Sequence, residues 1–283
     1  MVDVGLIFSV YLASKSGEGS EPNRSRLHKI DIEMKYLKLS DRWFHLHVPE
    51  TDSTMIYLRT HDLEGRNADF SLVTTDFQTA GRGQRGHSWE SAPGENLIFS
   101  FVCHPRFLEA SRQFLLSEAL SLAVAEALDH VVPNITVKWP NDIYYGDKKI
   151  CGMLLEHDLS GSYIDTTITG VGVNVNQDEF TGDAPNPVSL RQILGRSVER
   201  EAIMEDILAA FERYYSHIAE GNAGYIENHY SERLYRRYGK HGYHDARGDF
   251  EAEIEEILPD GRIVLKDADG NRRVYAFKEV SFR

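Results

Sequence analysis

The sequence predicts an α+β fold, and three features of the chain indicate it. Helices and strands are mixed along the 283 residues without the strict β-α-β alternation that produces a parallel sheet. The turn Gly146-Asp147 joins the apolar runs at 143–145 and 150–155, which is typical of an antiparallel pair. The end of the chain holds only short strands, predicted at 250–257, 262–266 and 273–277, with the turns Asp260-Gly261 and Asp269-Gly270 between them.

The main part of the chain supplies the other elements. The sequence Asp52-Ser53-Thr54 precedes an apolar stretch and predicts the capped start of a helix. Apolar residues recur at helical spacing over 114–128, which is the strongest helix pattern in the chain. Residues 78–94 hold four glycines and Pro93 without any period, which indicates a long loop. Further strands are predicted at 70–77, 96–103, 135–137 and 163–175, and further helices at 201–220 and 225–238.

Composition narrows the possible classes of function. Hydrophobic residues make up 41% of the chain, which is enough for a substantial core. The 44 acidic residues outnumber the 31 basic ones, and the net charge of −13 disfavours nucleic acid or an anionic membrane as a partner. Cys103 and Cys151 lie in apolar runs, which favours buried free thiols in a reducing, cytoplasmic compartment. Two close histidine pairs without further ligands are interpreted as surface residues: His45/His47 and His241/His244.

The first residues are predicted to lie outside the fold. A short apolar run at 2–13 faintly resembles a signal sequence, but it lacks a basic segment, carries Asp3 and is too short to span a bilayer. The polar stretch 14–26 that follows is typical of a flexible segment. We therefore expect residues 1–35 to be an N-terminal extension, with Met34 as a plausible true start and secretion as the less favoured alternative.

A glycine-rich segment follows the strand at 70–77. The sequence Gly81-Arg82-Gly83-Gln84-Arg85-Gly86, here called the glycine loop, matches GxGxxG. A dinucleotide-binding fingerprint also needs a helix that opens on the last glycine and an acidic residue about 20 positions later. Pro93 and Gly94 argue against such a helix, and the next strand ends without an acid. The same segment nearly matches a P-loop, but His87 occupies the position of its lysine. Both motifs are therefore excluded by context.

The glycine loop still has features of an anion-binding loop. Its three glycines allow the backbone to approach a ligand closely, and Arg82 and Arg85 supply guanidinium groups suited to phosphate or carboxylate. Such a loop could fold over a bound anion. Taken alone, the segment is equally consistent with a solvated hairpin loop that carries unrelated arginines.

The strand around 170–176 has a second unusual pattern. Val171, Val173 and Val175 alternate with glycine and asparagine, so the valines are expected to face the core. The opposite face then carries almost no side chains near Gly170 and Gly172, which leaves room for a ligand against the strand. The alternative is a thin strand packed on another backbone.

A third segment, Lys138-Trp139-Pro140-Asn141-Asp142, combines a cation, an aromatic ring, an amide and a carboxylate on one turn between strands. Asn141 and Asp142 are candidates for holding hydrated Mg²⁺, which usually takes one or two carboxylates together with phosphate oxygens. Lys149 begins the next strand. Taken alone, and beside Lys148, it is more typical of a solvated hairpin lysine.

Together these segments resemble the biotin protein ligases, the biotin–[acetyl-CoA-carboxylase] ligases. GRGxxG and KWPND are highly specific in combination, whereas either motif alone is weak. The resemblance implies a mixed, largely antiparallel sheet flanked by helices in a catalytic domain at 36–238, and a small SH3-like barrel at 239–283. It runs through Thr51-Asp52-Ser53-Thr54, 78–86 with Trp89, 138–142, 149–156 and 170–174.

The resemblance also implies roles for individual residues. Lys149 and Arg82 are the expected catalytic residues, and Asp142 is the expected metal ligand. The residues expected to contact biotin are Ser53, Thr54, Met55, Gln78, Gly81, Arg82, Gly83, Gln84, Lys149 and Gly152. The residues expected to contact the nucleotide are Arg85, Trp89, Lys138, Asn141 and Asn174.

The reaction that the resemblance implies explains these residue types. Biotin is activated with ATP and Mg²⁺ to biotinyl-5'-AMP and is then transferred to a lysine of a biotin carboxyl carrier protein. Arg82, Lys149 and the metal would offset the repulsion between biotin's carboxylate and the phosphate. A loop that excludes water would protect the reactive adenylate from hydrolysis.

The chain departs from the family pattern in two places. Gln84 and His87 stand where loops of the family often carry arginine, so weaker retention of the adenylate is expected. About 35 residues precede the catalytic region and do not resemble a helix-turn-helix, which favours a monofunctional enzyme without a DNA-binding role. Two other functions remain as alternatives: a lipoate or octanoate ligase or transferase of the same superfold, and a non-catalytic biotin sensor or repressor.

Overall fold

The computed structural model of the protein describes residues 42–61, 70–83, 88–182 and 184–283. Within these ranges the chain forms twelve strands in two sheets, together with five α-helices. None of the helices in these ranges is both long enough and apolar enough to cross a membrane. The extension predicted at 1–35 lies outside the described residues, as do Gln84, Arg85 and His87 of the glycine loop.

The larger sheet confirms the predicted mixed, largely antiparallel arrangement. Its strands are β1 (Phe44–Thr51), β2 (Ser71–Gln78), β3 (Leu97–Cys103), β4 (Ile135–Lys138), β5 (Asp142–Tyr145), β6 (Lys148–Ser160) and β7 (Tyr163–Val173). They lie in the order β1-β2-β3-β7-β6-β5-β4, in which β1 and β2 are parallel and all other neighbours are antiparallel. The central strand β3 is buried along its whole length, as its unbroken apolar sequence predicts.

Helices cover both faces of this sheet. They are α1 (Thr54–Thr60), α2 (Phe114–Asp129), α3 (Leu190–Leu194), α4 (Arg200–Ala219) and α5 (Ala223–Glu232), with a short 3₁₀ helix at Ala110–Arg112. On one face α2 packs against α4 and α5, and Phe99 and Phe101 of β3 point into that core. Val102 points the other way, into a smaller core beneath α1, because successive strand residues face opposite sides.

A second sheet of five antiparallel strands forms the C-terminal module. Its strands are β8 (His241–Asp245), β9 (Gly248–Ile257), β10 (Ile263–Asp267), β11 (Arg272–Tyr275) and β12 (Ser281–Phe282), in the order β11-β10-β9-β8-β12. The module packs on the main domain, since Tyr243, Ile263 and Leu265 belong to the same hydrophobic core as α2. The indole N–H of Trp139 also donates to the carbonyl of Gly261 at 2.8 Å. The proposed division of the chain at residue 239 stays a prediction.

The predicted helix at 225–238 is wrong in its second half, because α5 ends at Glu232. Beyond it, the Arg233 carbonyl accepts a hydrogen bond from the Val137 amide at 2.9 Å, and the Tyr235 amide donates to the Val137 carbonyl at 2.8 Å. Backbone pairing with β4 therefore replaces the helical hydrogen bonds that the local pattern predicted.

Among the strands and α-helices, four short elements were not predicted: β1, α3, β8 and β12. In β1, Leu46 and Val48 are buried and alternate with His45 and His47. Both histidine rings lie within hydrogen-bonding distance of the Thr74 hydroxyl, at 2.8 and 3.0 Å, so these residues are paired rather than plain surface groups. The helix α3 spans only five residues, although a capping box of Ser189 and Gln192 marks its start.

Candidate active site

A cavity of about 560 Å³ opens on the face of the larger sheet that α1 covers. The N-terminus of α1, the glycine loop, the turn before β5, the start of β6 and the segment before β12 all contribute to its walls. The structure thus brings together segments that lie far apart in the sequence. Twelve of the predicted site residues line it: Ser53, Thr54, Met55, Gln78, Arg82, Gly83, Trp89, Lys138, Asn141, Asp142, Lys149 and Gly152.

One end of the cavity is a buried polar cluster. The Gln78 side-chain oxygen accepts hydrogen bonds from the amide and the hydroxyl of Thr54, at 2.9 and 3.1 Å. The Thr54 hydroxyl also lies 2.6 Å from the hydroxyl of Ser100 on β3. Ser53 is the N-cap residue of α1, but its side chain forms no capping bond. Its hydroxyl therefore lines the cavity and can bind a polar ligand group.

The wall formed by β6 and β7 is almost flat, because Gly152, Gly170 and Gly172 carry no side chains there. We call these three residues the glycine floor. A Cβ atom on Gly170 would lie 2.7 Å from the sulfur of Met55, and one on Gly172 would lie 2.4 Å from the indole of Trp89. The valines of β7 face the core, as predicted. The space above the glycines, however, is occupied in part by the side chains of Met55 and Trp89.

Trp89 lies at the centre of this wall and carries an unused hydrogen-bond donor. The indole ring lies over both Gly152 and Gly172, and its N–H is buried without a partner among the described residues. A buried donor without an acceptor costs about 1–3 kcal/mol. A ligand that supplied an acceptor there, or that moved the ring, would recover this free energy.

Lys149 and Asp142 face each other beside the glycine floor. The Nζ atom of Lys149 lies 2.7 Å from a carboxylate oxygen of Asp142. Both side chains are mostly buried, with 26% of Lys149 and 31% of Asp142 exposed. The Lys149 ammonium also lies 5.9 Å from the centre of the Trp89 ring. The β5–β6 hairpin fixes this geometry, because Asp142 and Gly152 are partners in its register. Lys149 is thereby held, partly desolvated, at the cavity wall. It is not the solvated hairpin lysine that its sequence context alone would suggest.

The site provides a limited set of ligands for Mg²⁺. Within the described ranges, no group of three or more His, Cys, Asp or Glu side chains could hold a metal ion. The Asn141 amide group donates to the carbonyl of Met153 at 2.9 Å, and one oxygen of Asp142 is paired with Lys149. The second oxygen of Asp142 remains for a cation. This donor set fits a hydrated Mg²⁺ that takes its other ligands from water and phosphate.

The walls of the cavity are strongly cationic. Among the described residues they hold four cations and a single carboxylate, that of Asp142. This balance is the reverse of the whole chain, whose net charge is −13. A concave site lined by one sign of charge attracts ligands of the other sign. The cations are Arg82, Lys138, Lys149 and Lys278.

Two of these cations, besides Lys149, already have polar partners. Lys138 donates to the hydroxyl of Tyr144 at 3.0 Å, and its ammonium lies 5.3 Å from the centre of the Phe282 ring. Arg82 forms an ion pair of 3.0 Å with Glu156 on β6. Both side chains therefore have defined positions before any ligand binds.

Cys151 lies between Lys149 and Gly152 in β6, but it does not contribute to the site. Its thiol is buried and free, as the sequence predicted, and burial raises the pKa of the Cys151 thiol far above its usual range. A neutral thiol is a poor nucleophile. Cys151 is therefore a core side chain.

Sequence reasoning missed the contribution of the C-terminal module. The lining residues from this module are Phe277, Lys278, Val280, Ser281 and Phe282. No local signal marks them, because their position depends on how the second sheet docks on the first. The contact between Trp139 and Phe277, with ring centres 6.1 Å apart, shows this docking.

Two predicted site residues within the described ranges, Gly81 and Asn174, do not line the cavity. The Gly81 carbonyl accepts a hydrogen bond from the Trp89 amide at 3.0 Å, so Gly81 closes the base of the loop. Asn174 is buried, and its backbone pairs with Ile150 and Leu190. Gln84 and Arg85 lie outside the described residues. Residues 88–96 contain no helix, which agrees with the rejection of both nucleotide-loop motifs.

The sequence matches known proteins over much of its length. The model of the Biotin/lipoate A/B protein ligase family matches residues 48–174. A biotin–[acetyl-CoA-carboxylase] ligase of Paracoccus denitrificans is 29% identical over 220 residues, covering 72% of this chain and 87% of that protein. The bifunctional ligase/repressor BirA of Bacillus subtilis is 34% identical over 161 residues, covering 55% of this chain and 49% of that protein. The chain therefore spans about half the length of the bifunctional relatives that it matches.

A solved structure has the same architecture. The biotin protein ligase from Aquifex aeolicus in complex with biotin and ATP superposes with a TM-score of 0.71 at 26% sequence identity. The superposition covers 84% of this chain and 98% of that one. Because it extends over nearly the whole of that ligase, it confirms the predicted fold class, including the helices that flank the sheet.

Proposed function

We propose that this protein is a biotin protein ligase. The premise is that residues 48–174 form a domain of the biotin/lipoate A/B protein ligase family. In the first step the carboxylate of biotin attacks the α-phosphorus of ATP, the bond to pyrophosphate breaks, and biotinyl-5'-AMP forms. In the second step a lysine amine of a carrier protein attacks the acyl carbon, loses a proton, and AMP leaves.

The observation that carries this proposal is the Lys149–Asp142 pair in a cavity whose described walls hold four cations and one carboxylate. Attack of a carboxylate on a phosphate brings two negative groups together, and charge accumulates in the transition state. Lys149 and Arg82 offset that charge, because fixed cations in a partly desolvated site act strongly and need little reorganisation. Asp142 holds Lys149 in place until the substrates bind.

The polar end of the cavity is suited to the ring of biotin. The hydroxyls of Ser53 and Thr54 and the amide of Gln78 offer donors and acceptors to a cyclic urea. Thr54 and Gln78 are already ordered by their mutual hydrogen bonds. Met55 and Gly152 also line the cavity and are the residues that we expect to contact the apolar part of biotin. The carboxylate of biotin then points toward Lys149 and Arg82.

The remaining predicted residues surround the nucleotide. Trp89 offers its ring to the adenine, and Lys138 and Asn141 lie on the phosphate side. Asp142 would hold Mg²⁺, which supplies further neutralisation of the phosphate charge. Gly83 lines the cavity, and the resemblance assigns Gln84 to biotin and Arg85 to the nucleotide. Gly81 and Asn174 act through their backbone hydrogen bonds, to Trp89 and to Ile150 and Leu190.

The carrier that this reaction needs is a biotin carboxyl carrier protein, and we propose the cytoplasm as the place of reaction. The two free buried cysteines and the net charge of −13 support a reducing compartment and a protein partner rather than nucleic acid. DNA binding, as in a biotin-responsive repressor, is the alternative that a footprinting experiment would reveal.

Pyrophosphate release on addition of biotin and ATP tests the proposed reaction directly. We expect release that depends on both substrates, followed by a mass increase of one biotinyl group on a lysine of the carrier. Lipoate and octanoate serve as matched alternative acids, because the family model includes lipoate ligases. Release with lipoate but not with biotin would assign the site to the lipoate branch.

A further inference from the structure

The carboxylate of Glu90, the residue after Trp89, is bound by another loop. One oxygen accepts hydrogen bonds from the amide and the hydroxyl of Thr181, at 2.9 and 3.1 Å, and from the side chain of Gln177 at 3.4 Å. The other oxygen accepts from the amide of Gly182 at 2.6 Å. Thr181, Gln177 and Gly182 all belong to the β7–α3 loop, residues 174–189. Glu90 thus connects this loop to the segment that carries Trp89.

A second layer of hydrogen bonds reinforces the connection. The buried side-chain oxygen of Gln177 accepts from the amide of Ala92 at 2.9 Å and from the side chain of Asn96 at 2.6 Å. The Asn96 side chain in turn accepts from the Val175 amide at 3.0 Å. Residues 90–96 and the β7–α3 loop are therefore hydrogen-bonded to each other from Val175, just after β7, as far as Gly182.

The other end of the β7–α3 loop reaches Lys149. The Lys149 amide donates to the Asn186 carbonyl at 2.8 Å, and the Val188 amide donates to the Lys149 carbonyl at 2.9 Å. The loop therefore contacts the backbone of Lys149 at one end and the carboxylate of Glu90 at the other. It thereby connects Lys149 to the residue that follows Trp89.

We propose that Glu90 is a positioning residue that fixes the Trp89 indole over the glycine floor by binding the β7–α3 loop. Its kinetic consequence rests on the proposed function, whereas its structural consequence does not. A side chain held in the productive position raises the fraction of molecules ready to bind the nucleotide. If that fraction falls to about one tenth, the apparent affinity falls about tenfold.

The charge state of Glu90 agrees with this role. Partial burial alone would raise the pKa of Glu90, but hydrogen bonds from Thr181, Gly182 and Gln177 outweigh it and lower the pKa. The carboxylate is therefore ionised at neutral pH, and hydrogen bonds to an ionised acceptor are stronger than neutral ones.

Glu90→Gln in the full-length protein tests the role, because it keeps the shape of the side chain but removes the charge. One polar atom of the new amide is a donor, which cannot accept from the Thr181 or Gly182 amide. Acrylamide quenching reports Trp89, since Trp43 and Trp139 are only 9% and 5% exposed. We expect a larger quenchable fraction, and a KM for ATP about tenfold higher with kcat within about twofold.

Glu95→Gln is the matched control in the same loop. It removes the same charge from a side chain that forms no hydrogen bond or ion pair with the described residues. Both its quenching and its KM are expected to match those of the wild type. Equal behaviour of Glu90→Gln and Glu95→Gln in quenching would overturn the proposal.

Gly182→Ala approaches the same contact from the other side. A Cβ atom there would lie 2.6 Å from a carboxylate oxygen of Glu90, and the carboxylate can move away at little cost because it ends a flexible side chain. We expect this variant to reproduce the quenching and the KM of Glu90→Gln. In the double variant the effects should not add, since both changes break one contact.

These measurements separate the two proposals. A wild-type protein without biotin-dependent pyrophosphate release contradicts the ligase function, and the quenching comparison still decides the role of Glu90. In an active enzyme, a lower kcat with unchanged quenching in Glu90→Gln contradicts the positioning role. A lower melting temperature of Glu90→Gln, without any change in quenching or KM, also contradicts the positioning role.

Discussion

The ammonium group of Lys149 is the charge that we propose for the reacting centre, and it can be removed with little damage to the fold. Its side chain is 26% exposed, and its main partner is the Asp142 carboxylate rather than the core. Lys149→Ala should therefore leave the melting temperature nearly unchanged while it slows pyrophosphate release by about 10²–10³-fold. The measurement is the rate of release with saturating biotin and ATP.

Lys148→Ala is the control for Lys149→Ala, because Lys148 is the exposed neighbour on the same hairpin. It should retain the wild-type rate. If Lys149→Ala also retained near-normal release, Lys149 would have no catalytic role, and the resemblance would have misassigned it.

Gly172 permits the close approach of the Trp89 indole to the sheet. A Cβ atom at this position would lie 2.4–2.8 Å from three atoms of that ring, so Gly172→Ala must displace the indole. We expect a higher KM for ATP and greater quenching of Trp89 by acrylamide. The fold should survive, because the backbone at Gly172 does not adopt a positive φ.

Gly224→Ala provides the matched control for Gly172→Ala. Gly224 lies in α5, and a Cβ atom there would meet no heavy atom within 4 Å. This variant should be more stable by roughly 0.5–1 kcal/mol, since alanine is the better helix former, and its KM should not change. An equal rise of KM in both variants would rule out the displaced indole as the cause.

At the scale of elements, the helix α2 carries a buried carboxyl group. Glu118 is 4% exposed and faces Glu227, Arg112 and Tyr230. Burial and the charge of Glu227 raise the pKa of Glu118 to about 8, despite the nearby Arg112. The folded state thus holds a proton that the unfolded chain releases near pH 4.5. The stability that this proton provides is complete below that pH and is lost as the pH rises toward 8.

Glu118→Gln removes this titration and should change the pH dependence of stability. Relative to the wild type, the variant should gain stability between pH 5 and pH 8, by on the order of 3 kcal/mol. Urea denaturation at several pH values measures this gain. A constant difference across that pH range would show that Glu118 is ionised in the folded protein.

Glu126, also on α2, gives a control of opposite sign. Partial burial would raise its pKa, but hydrogen bonds from Tyr214 and Arg213 lower the pKa of Glu126 overall. Its contribution to stability is therefore present above the unfolded pKa and is lost as the pH falls through the folded one. The deficit of Glu126→Gln should shrink in acid, whereas the advantage of Glu118→Gln disappears there.

The elements that could be predicted from the sequence are those with long periodic patterns. The helix α2 and the strand β3 have such patterns over 16 and 7 residues. In β1 the polar half of the alternation consists partly of histidines, which were interpreted as surface residues. The end of α5 could not be predicted, because the pairing of residues 233–235 with β4 is a tertiary contact that overrides local helix propensity.

The residues of the candidate site also fall into a predictable and an unpredictable group. Motif residues such as Ser53, Gln78 and Lys149 could be predicted from the family resemblance, and the structure brings them together at one cavity. The occupation of the glycine floor by Met55 and Trp89 could not be predicted, since it depends on how α1 and the segment that carries Trp89 pack on the sheet. Ser100 and the residues of the C-terminal module lack any local signal.

At the scale of the whole molecule, charge is distributed unevenly between the surface and the cavity. The chain carries a net charge of −13, yet the described cavity walls hold four cations and one carboxylate. A negative net charge repels anionic ligands at long range, so the proposed binding of ATP would depend on local cations. Three of these belong to the main domain, and the fourth, Lys278, belongs to the C-terminal module.

Lys278→Ala tests whether the C-terminal module completes the site. Lys278 lies between β11 and β12, in a left-handed backbone conformation with φ of 73°, and no local pattern predicts its position at the cavity. Loss of one cation at an anionic ligand typically costs about 1–2 kcal/mol, so the KM for ATP should rise roughly 5- to 30-fold. Lys266→Ala, an exposed lysine on β10, removes the same charge away from the cavity and should leave KM unchanged. The contrast should fade at high salt, which screens exposed charges. Equal KM values for the two variants at low salt would restrict nucleotide binding to the main domain and leave the C-terminal module with only a packing role.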